Sequence, residues 1–174
     1  TIDPTEAVTR TEYDSLGNRI AHIDPNGEKT TFAYDVLNRI ISRTDPLGGV
    51  RSYAYDAVGN TIATTDPKNH TVQMTYDSLN RLISVTDPLG NSSQTSYDQA
   101  GQVLSISDPL GNTTSFTYDQ LGRQASITDA LGNITTYEYD AVGNKVAMNN
   151  ALGVATRYEY DLIDNLTAVV ENYI

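Results

Sequence analysis

The sequence predicts an all-β fold in which tandem 21-residue β-hairpin repeats form a continuous twisted antiparallel sheet, shaped as a curved ribbon or a partial spiral shell. A Tyr-Asp pair recurs every 21 residues, a second turn motif stands between successive pairs, and short β-rich segments separate the turns. Self-similarity at a fixed spacing indicates units that bury apolar surface only by stacking on their neighbours. Residues 1–174 are therefore predicted to be a single array of eight repeats, which begin at Tyr13, Tyr34, Tyr55, Tyr76, Tyr97, Tyr118, Tyr139 and Tyr160.

The first turn of each repeat follows the tyrosine, which we number as the first place. The aspartate at the second place can accept hydrogen bonds from backbone amides two residues on. The fifth place holds only Gly, Asn or Asp, the residue types that adopt positive φ most readily. We therefore predict a tight turn here, with a structural signature that includes Asp35, Asp56, Gly59, Asp77, Asp98, Gly101, Asp119, Gly122, Asp140 and Gly143.

The second turn begins with an Asp-Pro pair at the twelfth and thirteenth places. Proline presets the first central dihedral of a type I turn, and the fifteenth place is Gly or Asn in every repeat except the last, which has Ile174. This pattern predicts a three-residue loop whose aspartate pairs with the sixteenth place. Clear copies are Asp87-Pro88 with Gly90 and Asp108-Pro109 with Gly111, and an earlier Asp-Pro pair stands at Asp3-Pro4.

The segments between the turns are rich in Thr, Ile, Val, Tyr and Phe, as expected of short strands. Alternation places each tyrosine on one face with the residue two before it, as in Phe116 and Tyr118, and with the Ile column at the eighth place. The other face is small or polar. An odd period must break this alternation once per repeat. We predict the break in the Tyr-Asp turn, with the tyrosine opposite the sixth place, and a bulge inside a strand is the alternative.

Leucine or a related residue occupies the tips of both turns, at the fourth and fourteenth places, as in Leu121 and Leu110. Turn tips normally favour polar residues. The two apolar rows therefore predict that neighbouring tips pack on one another along both rims of the sheet.

The composition disfavours several classes of function. The net charge is −11 and the 11 Lys and Arg residues are scattered, which disfavours binding to nucleic acid. Most of the 22 acidic residues are the turn aspartates themselves. The absence of cysteine excludes disulfides and thiolate metal sites, and no apolar run is long enough to span a membrane as a helix.

Few residues could carry chemistry. His22 and His70 stand at non-equivalent places, and turn formation accounts for the aspartates, so no catalytic, cofactor-binding or metal residues are predicted. Stacked aspartates could supply oxygen ligands to Ca²⁺, although their spacing matches no calcium loop. The tyrosine column could stack on sugars, which would make the chain a glycan-binding adhesion module. A self-assembling parallel β-solenoid is the remaining alternative.

The order Tyr-Asp-x-Leu-Gly-Arg or Asn, then Asp-Pro-Leu-Gly-Asn and a Thr-rich strand, resembles the RHS or YD repeat family over nearly the whole chain. In that family the repeats form a β-ribbon that spirals into a hollow shell. Bacterial polymorphic toxins and insecticidal toxin complexes enclose a C-terminal toxin in such a shell, and teneurins carry a related barrel.

The resemblance implies a non-enzymatic structural segment of a secreted or cell-surface bacterial protein. Its partners would be the adjoining repeats and a polypeptide toxin cargo. The chain lacks the family's C-terminal core region and toxin segment, so cleavage activity and toxicity are not implied. We expect the chain to be part of a longer array, and to form homo-oligomers through open sheet edges.

Overall fold

The computed structural model of the chain describes residues 8–172, which form sixteen β-strands and, within that range, no helix. None of these residues therefore belongs to a helix that could cross a membrane. The chain divides between Asn91 and Ser92 into two compact units. The predicted turn at Asp3-Pro4 lies outside the described residues.

In the first unit each strand pairs antiparallel with the next one in the chain. Its strands are β1 (Arg10–Tyr13), β2 (Arg19–Ile23), β3 (Lys29–Tyr34), β4 (Ile40–Thr44), β5 (Val50–Tyr55), β6 (Thr61–Thr65), β7 (Thr71–Tyr76) and β8 (Leu82–Thr86). Consecutive antiparallel pairing confirms the all-β hairpin fold and excludes the parallel solenoid.

The second unit repeats this arrangement, again with each strand antiparallel to its successor. Its strands are β9 (Ser92–Tyr97), β10 (Val103–Ser107), β11 (Thr113–Tyr118), β12 (Gln124–Thr128), β13 (Ile134–Tyr139), β14 (Lys145–Asn149), β15 (Ala155–Tyr160) and β16 (Leu166–Asn172).

Both turns of the repeat have the same backbone. In the second turn the Asp45 amide donates to the Gly49 carbonyl at 2.9 Å, and the Gly48 amide donates to the Asp45 carbonyl at 3.0 Å. The first turn makes the same two bonds: the Asp35 amide donates to the Arg39 carbonyl at 2.9 Å, and the Asn38 amide donates to the Asp35 carbonyl at 3.0 Å. The closing residues have positive φ at every fifth and fifteenth place that the structure describes, which confirms the predicted left-handed closure and the three-residue loop.

The predicted position of the irregular residue is wrong. Ala33 lies opposite Ser42, but Tyr34 lies opposite Ile40, so Ile41 is an extra residue in a β-bulge at the start of β4. The same shift occurs in the other repeats described. Because the first turn already pairs its aspartate with the sixth place, the tyrosine falls opposite the seventh, and the surplus residue must enter the strand.

The two columns that were predicted to share a face do so in the first repeat. Ile20, at the eighth place, lines a groove of about 300 Å³ together with Phe32 and Tyr34. The bulge therefore keeps the Ile column beside the tyrosines despite the odd period, and we call this side of the sheet the tyrosine face.

The leucine rows do not pack on one another as predicted. Leu47 is 96% exposed, and Leu110, Leu131 and Leu152 are each at least 86% exposed. Successive tips on one rim are two strands apart, which separates them by about 10 Å. A turn-tip leucine therefore cannot cover the next tip, and both apolar rows face solvent.

Replacing Gly122 by Val should destabilise the protein more than replacing Gln120 by Val. Gly122 has φ of +79°, and a Cβ atom there would lie 3.0 Å from Nε2 of Gln102. Gln120 is at the exposed third place, where Val36 already provides a β-branched residue. We expect a difference of about 1–3 kcal/mol in the free energy of unfolding. Equal midpoints in chemical denaturation would contradict the turn assignment.

Candidate functional site

The aspartate that opens each turn binds the backbone of that turn. Oδ1 of Asp119 accepts hydrogen bonds from the amides of Leu121 and Arg123, both at 2.9 Å, and its Oδ2 accepts one from Nε of Arg123 at 2.7 Å. Asp108 in the second turn accepts the two equivalent amides, and its Oδ2 accepts Nδ2 of Asn112 at 2.7 Å. One carboxylate thus holds each of these two loops with three hydrogen bonds.

These hydrogen bonds favour the charged form of the carboxylate. The pKa of Asp119 lies below its ordinary value chiefly because the Arg123 amide donates to the carboxylate, and the Arg123 side chain adds to this against partial desolvation. At Asp129 the side chain of Asn133, and then its amide, lower the pKa. The pKa is lowered at eleven turn aspartates, namely Asp14, Asp35, Asp56, Asp66, Asp77, Asp87, Asp108, Asp119, Asp129, Asp140 and Asp161.

The free energy of unfolding should fall in acid. A carboxylate with a lowered pKa in the folded state stabilises the fold above the unfolded pKa of about 4, and this contribution is lost as the pH falls through the folded pKa. The turn that opens with Asn150 already uses an amide oxygen, which accepts the amides of Leu152 and Val154 at 3.0 Å. Asp129→Asn should therefore fold at pH 7 and lose less stability than the wild type at pH 3. Urea midpoints at both pH values measure this, and an identical acid loss would contradict it.

The tyrosines at the first place of six repeats reach back to the preceding repeat. The Tyr118 hydroxyl donates to the carbonyl of Val103 at 2.9 Å. The backbone pairing between β10 and β11 ends at Ser105 opposite Ser115. The Tyr118 hydroxyl therefore bridges these two strands beyond the end of their backbone pairing. The same bond, at 2.7 to 3.0 Å, is made by Tyr34, Tyr55, Tyr76, Tyr139 and Tyr160.

Replacing Tyr118 by Phe should lower the free energy of unfolding by about 1 kcal/mol, the usual contribution of one such hydrogen bond. Tyr13→Phe is the matched control, because Tyr13 is 62% exposed and its hydroxyl has no hydrogen-bond partner among residues 8–172. Thermal or urea denaturation of both variants tests the assignment. Equal effects would mean that the hydroxyl does not link the repeats.

The sixth place makes a second contact between repeats. Where the next repeat has Asn or Asp at its fifth place, an Asn at the sixth place donates to that side chain. Nδ2 of Asn60 lies 3.0 Å from Oδ1 of Asn80, and Nδ2 of Asn144 lies 2.9 Å from Oδ1 of Asp164. Two short polar side chains therefore connect the first turns of neighbouring repeats.

Where the next fifth place is glycine, a longer side chain reaches the backbone instead. Nη1 of Arg39 donates to the carbonyl of Asp56 at 3.1 Å, and Nη1 of Arg123 donates to that of Asp140 at 2.9 Å. Gln102 similarly donates to a backbone carbonyl of the next turn. This matching was not predicted from the sequence, although its signal is there, since the sixth place alternates between Asn and Arg over the first four repeats.

Several aromatic rings pack against Arg or Lys side chains of the same chain. Cζ of Arg39 lies 4.6 Å from the ring centroid of Tyr55, and Cζ of Arg123 lies 4.7 Å from that of Tyr139. Both distances suit cation–π contact. Because the hydroxyls of these tyrosines are also engaged, their geometry favours packing between repeats over stacking on a sugar.

The histidines and aspartates do not converge. His70 Nδ1 lies 3.1 Å from Oδ2 of Asp66 within one turn, whereas His22 lies opposite Thr30 in another hairpin. Across residues 8–172, no three His, Asp or Glu side chains are grouped to hold a metal ion. Within each unit the structure brings first-place tyrosines next to the preceding first turn, as at Tyr34, Tyr55, Tyr76, Tyr118, Tyr139 and Tyr160. It leaves the second-turn residues of the signature, Asp87, Pro88, Gly90, Asp108, Pro109 and Gly111, on the opposite rim.

Comparisons with known proteins agree with this geometry. Four segments match the RHS repeat family, residues 13–50, 55–92, 97–134 and 121–155, and no curated protein matches the sequence. The Photorhabdus luminescens Tc holotoxin pore is similar in fold, with 18% identity and a TM-score of 0.67 over 88% of this chain and 10% of that chain. The structure of TcdB2-TccC3 without its hypervariable C-terminal region is similar with 17% sequence identity and a TM-score of 0.58, over 94% of this chain and 11% of that chain. TcdB2-TccC3-Cdc42 gives 18% and 0.57 over the same shares.

The fold and its turns define a tandem β-hairpin repeat protein. The family matches cover more than half of the sequence, and the chain belongs to the RHS repeat family. The first three matches begin at every second tyrosine, so one family unit corresponds to two of the hairpin repeats described above. The chain spans about a tenth of the length of the solved chains it resembles.

Proposed function

We propose that the chain is a wall segment of a β-shell that encloses a polypeptide toxin in a secreted or cell-surface bacterial protein. The observation that carries this proposal is a sheet without a core. Among the described residues, Ala21 is the only hydrophobic residue that is buried. A single sheet normally needs a second layer to cover its apolar face.

The two faces of the sheet differ in the polarity of their side chains. On the face opposite the tyrosines, hydroxyls pair across strands, with 2.6 Å between Ser96 and Ser105 and 2.7 Å between Thr117 and Ser126. Such a surface suits water. The tyrosine face carries aromatic and aliphatic side chains, whose exposure costs about 25 cal/mol per Å². We therefore assign the tyrosine face to the covered side of the wall.

The family membership and the fold of the neighbours support this function. The similar structures include a Tc holotoxin pore and TcdB2-TccC3 complexes, one of them described as lacking a hypervariable C-terminal region. We propose that the partners of the present chain are adjoining repeats and an enclosed polypeptide. The chain itself would be one array of repeats without catalytic residues.

The isolated chain should self-associate as its concentration rises and should bind a hydrophobic dye, because its tyrosine face is uncovered. Ile106→Thr, at a 45% exposed position on that face, should reduce both effects. Ser105→Thr on the opposite face is the control and should change neither. Sedimentation and dye fluorescence across a concentration series test this. A strictly monomeric chain that binds no dye would contradict the proposal.

A further inference from the structure

One hairpin departs from the repeat pattern at three places. In β4–β5, Arg43 stands at the tenth place, Gly49 at the sixteenth and Arg51 at the eighteenth, and Arg43 lies directly opposite Arg51. Other repeats pair different residues at these two strand positions: His22 with Thr30, Thr64 with Val72, Ile106 with Thr114, Ile127 with Thr135, and Met148 with Thr156. The pair of arginines is a feature of this hairpin and not of the fold.

The two opposed arginines destabilise the hairpin in which they lie. Like charges directly opposite each other destabilise a sheet. Neither Arg43 nor Arg51 has an ion pair, hydrogen bond or ring contact with any residue in the described range. This is unexpected in a chain with 22 acidic and 11 basic residues. Local rules are broken in this way at functional sites, which makes the two arginines candidates for one.

The third departure opens space beside the pair. Arg43, Asp45, Gly49, Arg51 and Pro67 line a cavity of about 170 Å³. A Cβ atom at residue 49 would lie 2.5 Å from Oδ2 of Asp45, so the observed position of this carboxylate requires glycine. At the sixteenth place of other repeats, an Asn side chain fills this position and binds the aspartate.

We infer that Arg43 and Arg51 form a clamp for the carboxylate of an acidic side chain on a polypeptide partner. Each guanidinium can donate two parallel hydrogen bonds to a carboxylate, and a shared anion removes the repulsion between them. Asp45 in the cavity wall repels a dianion more than a monoanion, which favours a carboxylate over a phosphate.

The clamp opens on the tyrosine face, because Arg43 also lies opposite Phe32. A polypeptide that lies along this apolar face would therefore place an acidic side chain in the cavity. The clamp needs only this hairpin and the next turn, and so it stands whether or not the chain is part of a shell.

The experiment titrates the ¹⁵N-labelled chain with a capped Ala-Glu-Ala peptide and with its Gln counterpart, and follows the arginine Nε–H signals. Only the Glu peptide should shift the signals of Arg43 and Arg51. Arg43→Ile and Arg51→Thr, which restore the residues of other repeats, should each weaken binding at least tenfold. Gly49→Asn should do the same by filling the cavity, whereas Arg157→Thr in a different hairpin should have no effect.

Thermal stability and competing anions distinguish a carboxylate clamp from arginines that support the fold or bind any anion. At low salt, Arg51→Thr should leave the thermal midpoint unchanged or raise it, because the repulsion is removed. A lower midpoint would overturn the inference, since the arginines would then support the fold. Equal shifts with the Gln peptide, or tighter binding of inorganic phosphate than of the Glu peptide, would also overturn it. Transfer of the three residues to another hairpin, as Ile106→Arg, Asn112→Gly and Thr114→Arg, should create a second site.

Discussion

The hydrogen bonds from turn amides to an aspartate carboxylate are the constraint on which the rest of the structure depends. A single-layer sheet has no packed core to fix where one strand ends and the next begins. Each hairpin therefore takes its length and register from the two loops, and the loops are held by one Asp or Asn side chain that accepts two backbone amides, as at Asp119 and Asn150. Because the loops close in the same way, a local interaction repeated along each unit keeps the strands of that unit in regular register.

The contacts between hairpins are of a different kind from those within them. Within a hairpin the ladder runs up to the Tyr-Asp turn, whereas the ladder to the next hairpin stops short of it, as at Ser105 opposite Ser115. A tyrosine hydroxyl and a sixth-place side chain bridge that opening. Stability is therefore a sum of hairpin terms and nearest-neighbour terms, as in other repeat proteins. A single side chain such as Tyr118 affects mainly one junction.

The turns were predictable because they depend on residue types with one physical use. Gly, Asn and Asp at a closing place indicate positive φ wherever they recur, and proline marks the type I turn. The bulge at Ile41 was misplaced because alternation shows only that one residue is surplus, and not where it sits. The exposure of Leu110 was missed because sequence does not give the distance between tips. The Arg43–Arg51 pair became visible only when register placed the two side chains opposite each other.

In the first unit the sixth place alternates between Asn and Arg, with Asn18, Arg39 and Asn60 in successive repeats. An Asn such as Asn60 suits a neighbour with an amide or carboxylate at its fifth place, and an Arg such as Arg39 suits a neighbour with glycine there. Within this unit, loss of one hairpin by recombination would join mismatched neighbours, whereas loss of two would place Asn18 beside Asn80 and preserve the match. The structure of this unit therefore favours growth and shortening in steps of two hairpins, which is also the spacing at which the first three family matches begin.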